Sequence, residues 1–221
     1  MQSRQYIDWQ MARSHIYGLL GGLLSRQPDA QTLNALLSPE AVENLASLFA
    51  DPAVGRHFHR MAEQYAAGEL KPDHVGQDYE NLMRVPGPAY THPFESFYCR
   101  QSGGKEGLNR GRLDGRAASE AERYYRSEDV LPNYDTVDFA DHIAAELDFM
   151  ARLCECQAAA LADGDMQTAS RLEDKQKRFG SDHLFRWAED FCAALKAGAQ
   201  TPFFKGLAQI LHAFIDMEIC Q

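Results

Sequence analysis

His142 and Glu146 stand four residues apart, the spacing that stacks two side chains on one face of a helix. An imidazole and a carboxylate so placed can work as an acid–base couple, or can hydrogen-bond where a helix begins. No nucleophile or metal-ligand constellation lies near them in the sequence, so the pair alone does not point to catalysis. Two further pairs look like ligands, His57 with His59 and Cys154 with Cys156. Two residues apart on a helix, however, sends side chains to roughly opposite faces, where one ion cannot reach both. Ser102-Gly103-Gly104-Lys105-Glu106 lacks the first glycine and the hydroxyl of a phosphate cradle, and no G-x-S-x-G nucleophile turn occurs. The sequence thus predicts no catalytic residues, no metal site and no resident cofactor.

Charge supplies a stronger signal. The 221 residues carry 22 Lys+Arg against 32 Asp+Glu, a net charge of −10. Such a surface repels nucleic-acid phosphates and anionic lipid, and favours a cationic partner. Basic residues gather between Arg100 and Arg126. From Ser127 to Ala151 there are seven acids (Glu128, Asp129, Asp135, Asp138, Asp141, Glu146 and Asp148) and no Lys or Arg. That segment attracts cations, although acids near a helix start also complement the helix dipole.

The elements that must hold these residues read as helices. Ile143, Leu147, Met150, Cys154, Ala158 and Leu161 advance by three or four residues, as one buried helix face does. Leu184, Trp187, Phe191 and Leu195 form a second such stripe, and Phe203, Leu207, Ile210, Phe214 and Met217 a third. Upstream, helices are expected over 9–24, 32–37, 40–49 and 53–67, with Pro39 and Pro52 placed where a first turn tolerates proline. No alternating run long enough for a sheet appears, so the fold class is all-α, a single helical bundle of about ten helices over 1–221. An N-terminal layer of about 1–100 and a C-terminal layer of about 118–221 would be joined by a flexible connection over 101–117, which holds five glycines together with Lys105, Arg110, Arg112 and Arg116. Residues 84–93 contain Pro86, Pro88 and Pro93 and predict a shaped, non-helical loop. Five cysteines in a chain of this size, no charged-then-apolar start and no apolar run near ~20 residues suggest a soluble cytoplasmic protein.

Three segments carry a family likeness. They are Asp78-Tyr79-Glu80-Asn81-Leu82-Met83 leading to His92-Pro93-Phe94-Glu95-Ser96-Phe97-Tyr98; Asp138 through Met150, with Asp141-His142 and Glu146 at its heart; and Phe179-Gly180-Ser181-Asp182-His183-Leu184-Phe185-Arg186-Trp187 with Pro202-Phe203-Phe204 beyond it. Their order and spacing over about residues 10–218 resemble the TorD/DmsD/NarJ family of redox-enzyme maturation chaperones. The chain departs from the family pattern where Phe139 and Ala140 replace a proline before the Asp-His pair, and where Met83 replaces a phenylalanine. Pro72-Asp73-His74 looks like the motif but lacks its following helix, and is taken as a coincidence in a loop.

The resemblance implies an all-helical, non-catalytic protein that binds the twin-arginine signal peptide and the apo catalytic subunit of a molybdenum-containing oxidoreductase. It would assist cofactor insertion and delay export until maturation is complete. Candidate clients are nitrate, dimethyl sulfoxide and trimethylamine oxide reductases. Two guanidinium groups followed by an apolar stretch call for carboxylates beside an apolar groove. Asp141 and His142 would orient the peptide, Asp138 and Glu146 would add charge, and Tyr79, Phe94 and Tyr98 would line the apolar part. Glu95 is either a second groove carboxylate or an internal partner for an arginine. Asp141→Ala is expected to weaken peptide binding and leave melting unchanged. Two alternatives stand beside this reading. In one, Lys105, Arg110, Arg112 and Arg116 contact the phosphates of GTP or of the molybdenum cofactor's dinucleotide; in the other, the chain is a generic helical adaptor. Phe94, Phe97, Trp187 and Phe203 also read as core residues, His142 also reads as a helix cap, and the protein is expected as a monomer or a domain-swapped dimer.

Overall fold

Short polar side chains and prolines start most of the helices, because both suit a first turn whose N–H groups have no partner inside the helix. Asp29 Oδ1 accepts from Thr32 N at 2.7 Å, Ser38 Oγ from Ala41 N at 3.3 Å and Asp165 Oδ1 from Thr168 N at 3.0 Å. Pro39, Pro72 and Pro202 occupy the first turn of their helices. The computed structural model describes residues 2–49, 52–99, 115–127 and 139–220. Among these residues there are eleven α-helices: α1 Gln2–Ser25, α2 Ala30–Leu36, α3 Pro39–Ser47, α4 Pro52–Ala66, α5 Pro72–Tyr79, α6 Glu95–Tyr98, α7 Arg116–Arg126, α8 Ile143–Ala162, α9 Met166–Asp182, α10 Ala188–Gly198 and α11 Pro202–Ile219. A π-turn, Glu80–Arg84, extends α5, and a 3₁₀ turn, Leu184–Arg186, separates α9 from α10. No strand occurs among the described residues, and the fold is all-α.

The chain sorts into two compact units, each discontinuous in sequence. One comprises residues 1–25 and 93–187, and the other 26–92 and 188–221. In the first, α1 lies along α8, and α8 packs against α9. Gly21 permits the close approach, since a Cβ there would stand 3.3 Å from the Ala144 carbonyl oxygen and 3.4 Å from Leu147 Cβ. Tyr17, Leu24, Leu147, Phe149, Leu153 and Phe179 are fully enclosed. A buried polar chain also crosses this core: Arg13 Nη1 donates to Gln10 Oε1 and Gln176 Oε1, both at 2.8 Å, and Gln176 Nε2 donates to Gln157 Oε1 at 2.8 Å.

In the second unit α11 packs against α4, α5 and α10. The Asp78 carboxylate, 2% exposed, holds the turn into α11 by accepting from Gln200 N, Thr201 N and Thr201 Oγ1. The proline loop is non-helical as expected, apart from Arg84, which ends the π-turn. Thr91 N and Oγ1 tie the loop back to the Leu82 carbonyl, and His92 takes φ +50°.

Two expectations are corrected. The stripe from Leu184 to Leu195 is not one helix: His183 and Trp187 leave helical geometry, because both side chains are engaged in hydrogen bonds far along the chain. Pro72-Asp73-His74 is not a loop but the first turn of α5. Of the helices, none is long and apolar enough to cross a membrane among the described residues.

Candidate functional site

The N-terminus of α8 is clasped by an incoming segment. Ile143 N donates to the Pro93 carbonyl and Glu95 N to the Asp141 carbonyl, each at 2.9 Å, which leaves Phe94 and His142 in an isolated antiparallel bridge. Asp141 adds a side-chain clasp, its Oδ2 accepting from Ser96 N at 3.0 Å. His142 caps α8, with Nδ1 accepting from Ala144 N at 3.1 Å. A ring nitrogen that accepts is unprotonated, and burial holds this imidazole neutral by pushing its pKa down to about 3. The Phe94 ring lies edge-on to His142 at 5.3 Å and to Phe139 at 5.6 Å.

One turn along α8, Glu146 is completely enclosed. Its Oε2 accepts from Trp187 Nε1 at 3.1 Å, and Tyr98 stacks on that indole at 5.4 Å. Glu95, 1% exposed, faces the same interior, its Oε2 lying 2.7 Å from His183 Nδ1. Arg186 Nη1 stands 3.8 Å from Glu95 Oε1, and Cys99 Sγ donates to that oxygen at 3.5 Å. His183 is sandwiched by Phe179 at 5.0 Å and Tyr124 at 5.3 Å.

The electrostatics follow from crowding acids in a dry place. Burial first, and the Glu95 carboxylate second, push the Glu146 carboxyl well above the ordinary carboxylate range. Burial also raises Asp141, while Ser96 beside it favours the charged form. The Cys99 thiol is pushed up to about 12 by burial and by Glu95, so it is a poor nucleophile at neutral pH. Three buried atoms here have no hydrogen-bond partner: Asp141 Oδ1, Glu146 Oε1 and Ser96 Oγ. A buried acceptor left unpaired costs about 1–3 kcal/mol.

Of the residues expected at the site, Phe94, Glu95, Tyr98, Asp141, His142 and Glu146 are brought together within the first unit. Tyr79 belongs to the second, 3% exposed with its ring 6.3 Å from that of Phe204. Asp138, Lys105, Arg110 and Arg112 lie outside the described residues, whereas Arg116 is exposed on α7 and pairs with Glu120 at 2.6 Å. The carboxyls do not line an open mouth: Asp141 and Glu146 are 0% exposed, because the Pro93–Cys99 segment covers the start of α8. For Glu95, internal pairing is what the geometry has, with His183 nearer than Arg186. Phe94, Trp187 and Phe203 are core residues, while Phe97 is half-buried. The role of His183 was missed. A histidine and a tryptophan four residues apart in the chain, interrupting an apolar stripe, were the available signal.

Known proteins resemble this chain over most of its length. The chain is 24% identical over 210 residues to the chaperone protein TorD of Shewanella loihica, covering 94% of this chain and 91% of that one. It is 37% identical over 151 residues to a chlorate reductase assembly chaperone protein of Ideonella dechloratans, covering 68% and 64% respectively. A selenate reductase assembly chaperone protein of Thauera selenatis is 31% identical over 140 residues, 57% of this chain and 71% of that one. These relatives are chaperones rather than catalysts. The pattern of the nitrate reductase delta subunit family matches residues 48–193, a stretch that includes Glu95, Asp141, His142, Glu146 and His183, and the chain belongs to that family, the TorD/NarJ family of redox-enzyme maturation chaperones.

Proposed function

We propose that this protein is a system-specific cytoplasmic chaperone for the catalytic subunit of a molybdenum-containing oxidoreductase. It binds the twin-arginine signal peptide and the apo subunit, assists cofactor insertion and delays export. The observation that carries this reading is the Asp141 carboxyl, enclosed where the Pro93–Cys99 segment crosses the start of α8 and left with no hydrogen-bond partner at Oδ1. A guanidinium offers five donors and no acceptor, and meets a carboxylate side-on with two parallel bonds. It is the chemical complement of that carboxyl. Relatives named for chlorate and selenate reductase assembly support the redox-enzyme client.

Because Asp141 is enclosed, binding requires the covering segment to lift, with the hydrogen bonds of Glu95 N and Ser96 N as the latch. Hydrogen exchange on the full chain, with and without a synthetic twin-arginine leader, tests this. The Glu95 and Ser96 amides are expected to lose protection on binding, and a Lys-Lys leader to bind about tenfold more weakly, since an ammonium cannot make the side-on pair. A leader that binds with both amides unchanged, or with equal affinity for Arg-Arg and Lys-Lys, refutes the site. Of the residues in the phosphate-contact reading, Arg116 pairs with Glu120 on the surface, and Lys105, Arg110 and Arg112 lie outside the described residues.

A further inference from the structure

The deepest part of the acid cluster has a composition that peptide recognition does not call for. Glu95, Glu146 and His183 each present one ligand atom, and the three atoms lie within 4.8 Å of one another. All three side chains are buried, and they come from three separate places: the start of α6, the first turn of α8 and the residue that caps the end of α9. The arrangement is not a surface accumulation of acids. It brings two carboxylates and an imidazole to one point from chain positions 51 and 37 residues apart.

Each ligand is held from behind. Trp187 Nε1 occupies Glu146 Oε2, which leaves Oε1 of the same carboxyl with no hydrogen-bond partner although it is fully enclosed. Phe179 and Tyr124 flank the imidazole of His183, and Cys99 and Arg186 stand at Glu95 Oε1. Oriented ligands with one vacant oxygen describe a place for a positive charge. Tetrahedral ligation at about 2.0–2.2 Å sets ligand atoms roughly 3.4 Å apart, so side-chain rotation alone can close the triangle. Mixed carboxylate and imidazole donors suit zinc and its borderline neighbours better than calcium or magnesium, which take oxygen ligands.

We propose that Glu95, Glu146 and His183 form a binding site for one divalent cation of the zinc class, which ties α6, α8 and the end of α9 together. The site does not depend on the peptide reading: it is filled or not with no leader present. Bound, the ion neutralises two adjacent carboxylates and fixes Glu95, the residue next to Ser96 in the covering segment.

Equilibrium dialysis of the full chain against Zn²⁺, with metal content measured afterwards, is expected to return one ion per chain. Glu146→Gln and His183→Gln are each expected to bind at least about tenfold more weakly. Since either variant can fail to fold, Co²⁺ added to the parent gives a second readout. The paramagnetic ion is expected to broaden the His183 imidazole resonances before those of His59 and of His212, which pairs with Asp216 at 3.0 Å on the surface. A parent chain that retains no stoichiometric ion overturns the proposal and leaves a proton between Glu95 and Glu146. Broadening confined to His59 and His212, or parent-like affinity in a folded Glu146→Gln chain, overturns it equally.

Discussion

His142 shows how one side chain couples local geometry to solution conditions. Its Nδ1 caps α8 only while unprotonated, and its folded pKa is depressed to about 3. In the unfolded chain the same imidazole titrates near ~6.5. Below that value the unfolded state takes up a proton that the folded state refuses, so the contribution of this group is complete above about 6.5 and is lost progressively toward about 3. Urea midpoints measured across that range are expected to fall with acid in the parent. The fall is expected to be shallower in His142→Asn, which keeps an N-cap acceptor and cannot titrate. Asp141 brings a different lesson. The sequence placed it at the binding site with no cost to the fold, but its Oδ2 is the partner of Ser96 N. Asp141→Ala is therefore expected to destabilise the protein by about 1–3 kcal/mol in urea unfolding, through a buried donor left unpaired. The acid was legible because it opens a helix in an acid-rich stretch. Its enclosure was not, since burial by Pro93–Cys99 depends on chain more than forty residues away.

Among the elements, those with a long uninterrupted apolar stripe could be read directly, as α8 and α11 were. α9 carries its apolar face in a sequence dense with Lys, Arg, Asp and Glu, and no stripe announced it. The 3₁₀ turn after it was hidden for the opposite reason: the spacing of Leu184, Trp187 and Phe191 continues a helix that hydrogen bonds from His183 and Trp187 interrupt. Tertiary bonds decided there against local periodicity. At the turn between α10 and α11, Asp78 satisfies two backbone N–H groups and the Thr201 hydroxyl. Asp78→Ala strips all three, and a loss of about 3 kcal/mol or more is expected by chemical denaturation. Gly198 makes a sharper test of packing. A Cβ there would fall 2.7 Å from the Ala89 carbonyl oxygen and 3.0 Å from Leu82 Cδ2, so Gly198→Ala is expected to destabilise by about 1–3 kcal/mol although alanine is the better helix former.

For the molecule as a whole, a net charge of −10 was readable at once and, under the proposed function, would set how a cationic leader arrives. Attraction between exposed charges is screened over about 8 Å at physiological ionic strength. Stopped-flow association of the twin-arginine leader is expected to slow with added salt, while dissociation, governed by enclosed contacts, changes far less. The discontinuous make-up of the two units was not legible, because no composition shift marks residues 25, 93 or 187. The cysteines turn this division into an experimental opportunity. Cys154 and Cys192 are buried and the half-buried Cys99 thiol is held protonated, whereas Cys156 on α8 and Cys220 after α11 are exposed, one in each unit. A maleimide dye pair would therefore attach to the unmutated chain at one site per unit, and energy transfer between the dyes would follow the separation of the two units as a client leader is added.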